Sequence, residues 1–204
     1  MTRSFYSRAN RALCIGALAL LTLSGCISNK GPTESAKRFD LGIDQAPVAS
    51  STSARGPINL SLDAAALASE NGMLWRVADS ASPQAYANSR WAAPPEQLVR
   101  QRLVERLSRN GPLVTQTVAA NLPQLRLTLT QFEQVFAVDG ASSVGLISLQ
   151  ATLVQDRKVV AATRIDRRSP APSNDAAGGV AALIQATADA SDALGHWLDT
   201  VMIR

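Results

Sequence analysis

Ile58, Leu60 and Leu62 alternate with polar residues, the period of a half-buried strand. Met73 to Ala78 predicts another strand, and Phe39-Asp40-Leu41 a short earlier one. Leu98, Val99, Leu103, Val104 and Leu107 then recur at helical spacing, with Arg100, Gln101, Glu105 and Arg109 on the wetter positions. Pro94-Pro95 opens this helix and Asn110-Gly111-Pro112 stops it. Leu113 to Val118 is a candidate strand. Leu125, Leu127 and Leu129 alternate strictly, but the next apolar residues are Phe132, Phe136 and Val138. The phase moves from odd to even positions, and a bulge near Thr130–Gln131 explains it without turning the strand over. After a turn over 140–143, Gly145, Ile147, Leu149, Ala151 and Leu153 hold one face of a strand. Asp156 to Lys158 turns the chain and Val159 to Ile165 returns it, as in antiparallel hairpins. The stretches 44–57, 79–95 and 167–174 read as loops. A long helix from about Asp175 to Met202 places Val180, Leu183, Ile184, Leu194, Leu198 and Val201 broadly on one side, with Asp189, Asp192 and Asp199 toward solvent. Gly178-Gly179 at its start admits two explanations: regular helix begins only after them, or another backbone comes close. This order of elements predicts a single α+β domain, a mostly antiparallel sheet with two main helices packed on one face as an α/β sandwich.

The N-terminus has a different pattern. Arg3, Arg8 and Arg11 precede a nearly unbroken apolar run from Ala12 to Thr22. That run is shorter than the roughly 20 residues a membrane-spanning helix needs and fits a secretory signal. It ends in Leu23-Ser24-Gly25-Cys26, which resembles a bacterial lipobox. The expected layout is a signal peptide over 1–25, a lipidated tether over 26–38 and one domain over 39–204. Composition changes meaning with this division. The whole chain has 204 residues, a net charge of +4 and 20 basic residues, but three of these lie in the signal, leaving 17 against 16 acidic ones. The mature chain is nearly neutral, and its charge is no argument for a nucleic-acid partner. Cys14 leaves with the signal and Cys26 carries lipid, so no disulfide is expected. Ile27 stands where an Asp would favour retention at the inner membrane, which by resemblance to bacterial lipoproteins points to the outer membrane, facing the periplasm.

Candidate chemistry is sparse. There is no Gly-x-x-x-x-Gly-Lys loop, no Gly-x-Gly-x-x-Gly and no Gly-x-Ser-x-Gly elbow. His196, the one histidine, lies near a helix end beside Trp197 and reads as a helix residue, so no metal site and no cofactor are expected. Asp156, Asp166, Asp175 and Glu133 are available as acids, but in turns, strand edges and a helix start, where solvated carboxylates are ordinary. Arg164, Arg167 and Arg168 form a basic cluster at an expected strand end. Tyr86, Arg90 and Trp91 stand out before the first helix, with Trp91 as a buried anchor or a partner contact.

The block Tyr86-Ala-Asn-Ser-Arg-Trp-Ala-Ala-Pro-Pro95, followed by Leu98 and Leu103, resembles the hallmark of the ABC-type transport auxiliary lipoproteins, the family of the PqiC and YmbA lipoproteins. Leu129 to Phe136, Ala151-Thr-Leu153 and the helix from Gly178-Gly179-Val180 to Trp197-Leu198 are similar to its later elements, and Phe39 stands where the family more often has Tyr. The resemblance covers roughly Phe39 to Leu198. It implies an accessory role without catalysis: a lipoprotein held in the outer membrane by acyl chains such as palmitate on Cys26, serving an MCE-type ABC system that moves phospholipids or other hydrophobic molecules between membranes. The partners implied are an MCE-domain protein with its permease and ATPase, and a ring-like homo-oligomer is compatible with the family fold. Tyr86, Arg90 and Trp91 are the candidate docking residues. Two alternatives belong to other classes: an envelope hydrolase using Glu133 and Asp166, and an assembly lipoprotein that binds an outer-membrane barrel.

Overall fold

The computed structural model describes residues 35–44, 55–68, 70–115 and 121–202. The expected signal, Cys26, most of the expected tether and the end of the candidate strand over 113–118 lie outside them. Along the chain run β1 (Lys37–Phe39), β2 (Ile58–Ala64), β3 (Gly72–Val77), β4 (Gln84–Trp91), α1 (Pro95–Leu107), β5 (Leu113–Val114), β6 (Gln124–Phe136), β7 (Ser143–Gln155), β8 (Lys158–Pro170) and α2 (Ala176–Met202).

β6, β7 and β8 are 13 residues each and form an antiparallel meander that carries most of the ladder. The other edge of β6 is shared by two parallel strands. Its first half pairs with Asn59–Ala64 of β2, and its last three residues pair with Trp75–Val77 of β3. The handover coincides with a bulge between Leu129 and Gln131, where the apolar phase shift places it. The extra residue lets Phe132 and Gln134 continue the face begun by Leu125, Leu127 and Leu129. Across the ladder that face meets Leu153, Ala151, Leu149, Ile147 and Gly145 of β7. β4 pairs antiparallel with β3, and β1 adds in parallel at its far side.

Both helices cover this face. α2 lies on β6, β7 and β8, while α1 lies against α2 and β2. Val99, Leu103, Ala186, Leu194 and Leu198 are fully buried against Leu125, Leu129, Ile147 and Leu149. The approach is closest at Gly145, where a Cβ would fall 2.6 Å from the backbone of Ala182 and Leu183. α2 begins at Ala176, so both its early glycines are helical and close approach explains them. A Cβ on Gly178 would lie 2.0 Å from the Ser173 carbonyl oxygen, and one on Gly179 2.1 Å from Gln134 Oε1.

The N-terminal segment is strapped to α1. Arg102, on the apolar side of α1, is 3% exposed and donates to the carbonyls of Leu41 (2.7 Å) and Gly42 (2.9 Å). Asp44 is gripped by Arg106 at 2.9 Å and Arg109 at 2.6 Å. The segment after β1 is thus fastened to a helix and is not a free loop.

Three expectations need correction. The segment before α1 is not a loop: Gln84–Trp91 is a strand, held by pairing on both sides despite its weak strand formers. β8 does not end at Ile165 but runs to Pro170, because β7 offers partners back to Val144. Arg164, Arg167 and Arg168 thus sit within a strand, with Arg164 paired to Asp166 at 2.9 Å. The short first strand is Lys37–Phe39 and not Phe39–Leu41, since it pairs with Ser89–Trp91 at the end of β4.

The start of α2 yields a pH prediction. Asp175 Oδ1 accepts from the Gly178 amide at 2.8 Å, capping an otherwise unsatisfied helix donor. That bond first, and the Ser173 hydroxyl next, hold its carboxyl below the usual aspartate range. A depressed pKa contributes stability above the unfolded value, about 3.9, that is lost as pH falls through the folded one. The melting-temperature advantage of the native chain over Asp175→Ala is expected to persist at neutral pH and to shrink on acidification below about pH 4.

Candidate functional site

Beyond the first turn of α2, the sheet face that the helix covers continues without a cover among the described residues. Three strands bring aromatic rings together there. The parallel register sets Trp75 beside Gln134 and Val77 beside Phe136, and β4 places Tyr86 across from them. The Trp75 ring centroid lies 5.6 Å from Phe136 in an edge-on arrangement and 6.2 Å from Tyr86. With Val77, Val138 and Asn174 these rings line an open recess of about 470 Å³, within the range of small-ligand sites. Val138 is 73% exposed and Val77 37%. Exposed apolar side chains gathered around a concavity mark an interaction site more than isolated ones do.

A chain of hydrogen bonds supports the recess from beneath. Tyr86 donates its phenolic proton to Gln134 Oε1 at 2.8 Å, and Gln134 Nε2 donates to Ser143 Oγ at 2.8 Å. Ser143 donates to Asn174 Oδ1 at 2.9 Å, and Asn174 Nδ2 donates to the Gly140 carbonyl at 3.1 Å. Gln134 is wholly buried, so β4, the start of β7, Asn174 and the turn at Gly140 are tied to a fixed centre. Burial first, and the charge of Asp175 second, push the Tyr86 phenol up, which keeps it a proton donor. The ring thus turns an apolar surface to the recess while its polar tip is satisfied.

The three candidate docking residues are adjacent in sequence but occupy different settings. Tyr86 forms the recess wall. Arg90 turns back on its own strand, where β4 leaves regular register, and donates to the carbonyls of Tyr86 and Ser89. Trp91 is 1% exposed, with its ring 5.3 Å from Phe132, and anchors β4 in the core. Arg90 and Trp91 therefore shape the strand that presents Tyr86. Trp75, Gln134, Phe136 and Asn174 were not singled out by sequence reasoning. Gln134 carried a signal, as a polar residue at an inward position of β6.

The acids of the hydrolase alternative are engaged elsewhere, on the opposite sheet face. Glu133 is buried and accepts from Arg76 Nε at 2.7 Å. Asp166 accepts from the Ser148 hydroxyl and from Arg164, and these hold its carboxyl low, opposite to what a general acid requires. His196 is an exposed residue of α2, as expected. Among the described residues no group of three or more His, Cys, Asp or Glu is arranged to hold a metal.

The family model of the ABC-type transport auxiliary lipoprotein component matches residues 39–195, a span that includes every residue of the recess. The chain belongs to this family. Its members are transport auxiliary lipoproteins, not a known class of enzymes. The fold of this auxiliary lipoprotein is shared with solved structures. An uncharacterized protein superposes with a TM-score of 0.64 at 18% identity, over 81% of this chain and 99% of its own. A Xanthomonas campestris protein of family DUF330 gives 0.62 at 19% identity, over 82% and 92%. No curated protein matches the auxiliary lipoprotein in sequence. No helix among its described residues is long and apolar enough to cross a membrane.

Proposed function

We propose that this auxiliary lipoprotein is anchored in the outer membrane through lipid on Cys26, faces the periplasm, and acts as the docking component of an MCE-type ABC system that moves phospholipids or other hydrophobic molecules between the membranes. It does so without catalysis of its own. The observation that carries the proposal is the Trp75–Tyr86–Phe136 recess, an exposed apolar concavity in a chain of transport auxiliary family. A component that serves hydrophobic transport needs a place where apolar groups leave water, and the recess is such a place. Tyr86 is the contact residue of the candidate three, with Arg90 and Trp91 holding β4 in shape behind it. The strap from Arg102, Arg106 and Arg109 to residues 41–44 suits a body that works on a tether.

Attachment is the first point to test. Each buried acyl CH₂ contributes about 0.8 kcal/mol, so a multiply acylated Cys26 gives durable anchoring. Cells carrying Cys26→Ala are expected to lose membrane-barrier integrity, measured by sensitivity to detergent, while the protein stays at its normal level. Undiminished barrier function at normal protein level would remove the anchor from the mechanism.

A further inference from the structure

We propose that the recess at the end of β3, β4 and β6 receives an acyl chain of a phospholipid from the bilayer in which the protein is anchored. This rests on the anchored-lipoprotein reading above and goes beyond it by assigning a lipid site to this domain. Three observations converge.

The first is the lining. Trp75, Val77, Ala85, Tyr86, Phe136 and Val138 present mainly carbon, and the polar atoms beneath them are already paired with each other. Such a surface has few hydrogen bonds to offer a polar ligand and favours a hydrocarbon one.

The second is where the chain enters. β1 runs parallel to β4, and β4 starts at the recess end of the sheet. β1 therefore runs away from the recess end, with Lys37 level with Ser89. Ten residues lie between Cys26 and Lys37, so even a fully extended chain keeps the lipidated cysteine within about 40 Å of the start of β1. That span leaves the recess within reach of the bilayer surface. Tryptophan and tyrosine rings with an apolar body and a polar tip favour that boundary.

The third is charge. Asp139 stands in the turn between Val138 and Gly140, Asp175 follows Asn174, and Asp79 lies just past Val77. Lys37 is the nearby cation and is placed close enough to Asp175 to act on its charge. The rim is acidic on balance and opposes an anionic headgroup. A zwitterionic lipid with an ammonium group is preferred.

The test uses the full-length lipoprotein with Cys26 intact, reconstituted in vesicles. These contain a phospholipid with a photoactivatable group in the acyl chain and either an ethanolamine or a glycerol headgroup. After illumination, adducts are mapped by mass spectrometry. Labelling is expected to concentrate on peptides carrying Trp75, Tyr86, Phe136 and Val138, and to be stronger with the ethanolamine lipid. It is expected to fall about tenfold in Val138→Asp, which introduces a charge at an exposed position without disturbing the core, and to be retained in Val138→Leu. Labelling spread evenly over the domain, or unchanged by Val138→Asp, would overturn the proposal. Capture of the MCE-domain partner by the native chain, measured separately in detergent without the labelled phospholipid, reports on the docking function. The lipid site can thus fail while that function stands.

Discussion

Replacing Gly145 by valine is expected to lower the melting temperature by roughly 6–12 °C, from a loss of about 3 kcal/mol. The side chain would be built where α2 rests on the sheet. Even its Cβ would lie 2.6 Å from the carbonyl carbon of Ala182 and the amide nitrogen of Leu183, and 2.9 Å from the Ala182 methyl. Two of these are backbone atoms within a 27-residue helix and cannot turn aside as a side-chain tip can. The helix must lift away from β7, which loosens its contacts with Ile147 and Leu149 further along the strand. Gly145 also pairs with Gln134, so displacement reaches the centre that holds Tyr86, Ser143 and Asn174 in place. Thermal melts followed by circular dichroism check the magnitude. A melting temperature within about 2 °C of the native chain, less than 1 kcal/mol, would show that the contact is not as close as described.

The second large effect is expected at Arg76. Its guanidinium lies 2.7 Å from Glu133, whose side chain is 3% exposed and whose second carboxylate oxygen has no hydrogen-bond partner. Removing the cation leaves a buried carboxylate without its counter-charge. Such losses cost about 3–5 kcal/mol, and Arg76→Met is expected near 3 because water already reaches the pair from the arginine side. The double variant Arg76→Met with Glu133→Leu is expected to recover most of the stability, since a buried pair is worth little against well-packed apolar residues. Urea unfolding of the two single variants and the double variant forms a complete cycle. Additive losses would show that the two side chains act independently.

Much of the scaffold was legible in the sequence because local periodicity carried it. The break in phase between Leu129 and Phe132 located the bulge of β6, and the structure adds its reason: there the neighbouring strand changes from β2 to β3. The helix bounded by Pro94-Pro95 and Asn110 is likewise a local matter. β4 was not legible, because Gln84 to Arg90 has no β-branched residue and becomes a strand only through its neighbours. The extension of β8 over Arg167 and Arg168 has the same cause, since the ladder with β7 continues where polarity suggests a loop. Arg102 was read neither as core nor as surface; its burial depends on the carbonyls of Leu41 and Gly42, far away in sequence.

The recess was legible only in part. Tyr86 stood out within its sequence block, but its neighbours come from β3, β6 and the segment before α2. Trp75 reaches Phe136 through a parallel pairing, which no local pattern announces. Gly179 shows how distant constraints can leave a local trace. Its missing side chain makes room for Gln134, and the pair of glycines was visible as an anomaly in a helix although its cause was not.

The central claim is that this lipoprotein works on an MCE-type transport system, and a pull-down after mild in-cell crosslinking tests it most directly. The full-length chain would be captured from cells and its partners identified by mass spectrometry. The account predicts recovery of an MCE-domain protein together with its ABC permease or ATPase, and loss of that recovery when the lipoprotein is released from the membrane by Cys26→Ala. Recovery of only outer-membrane barrel proteins or cell-wall components, with no MCE-domain protein, would contradict it.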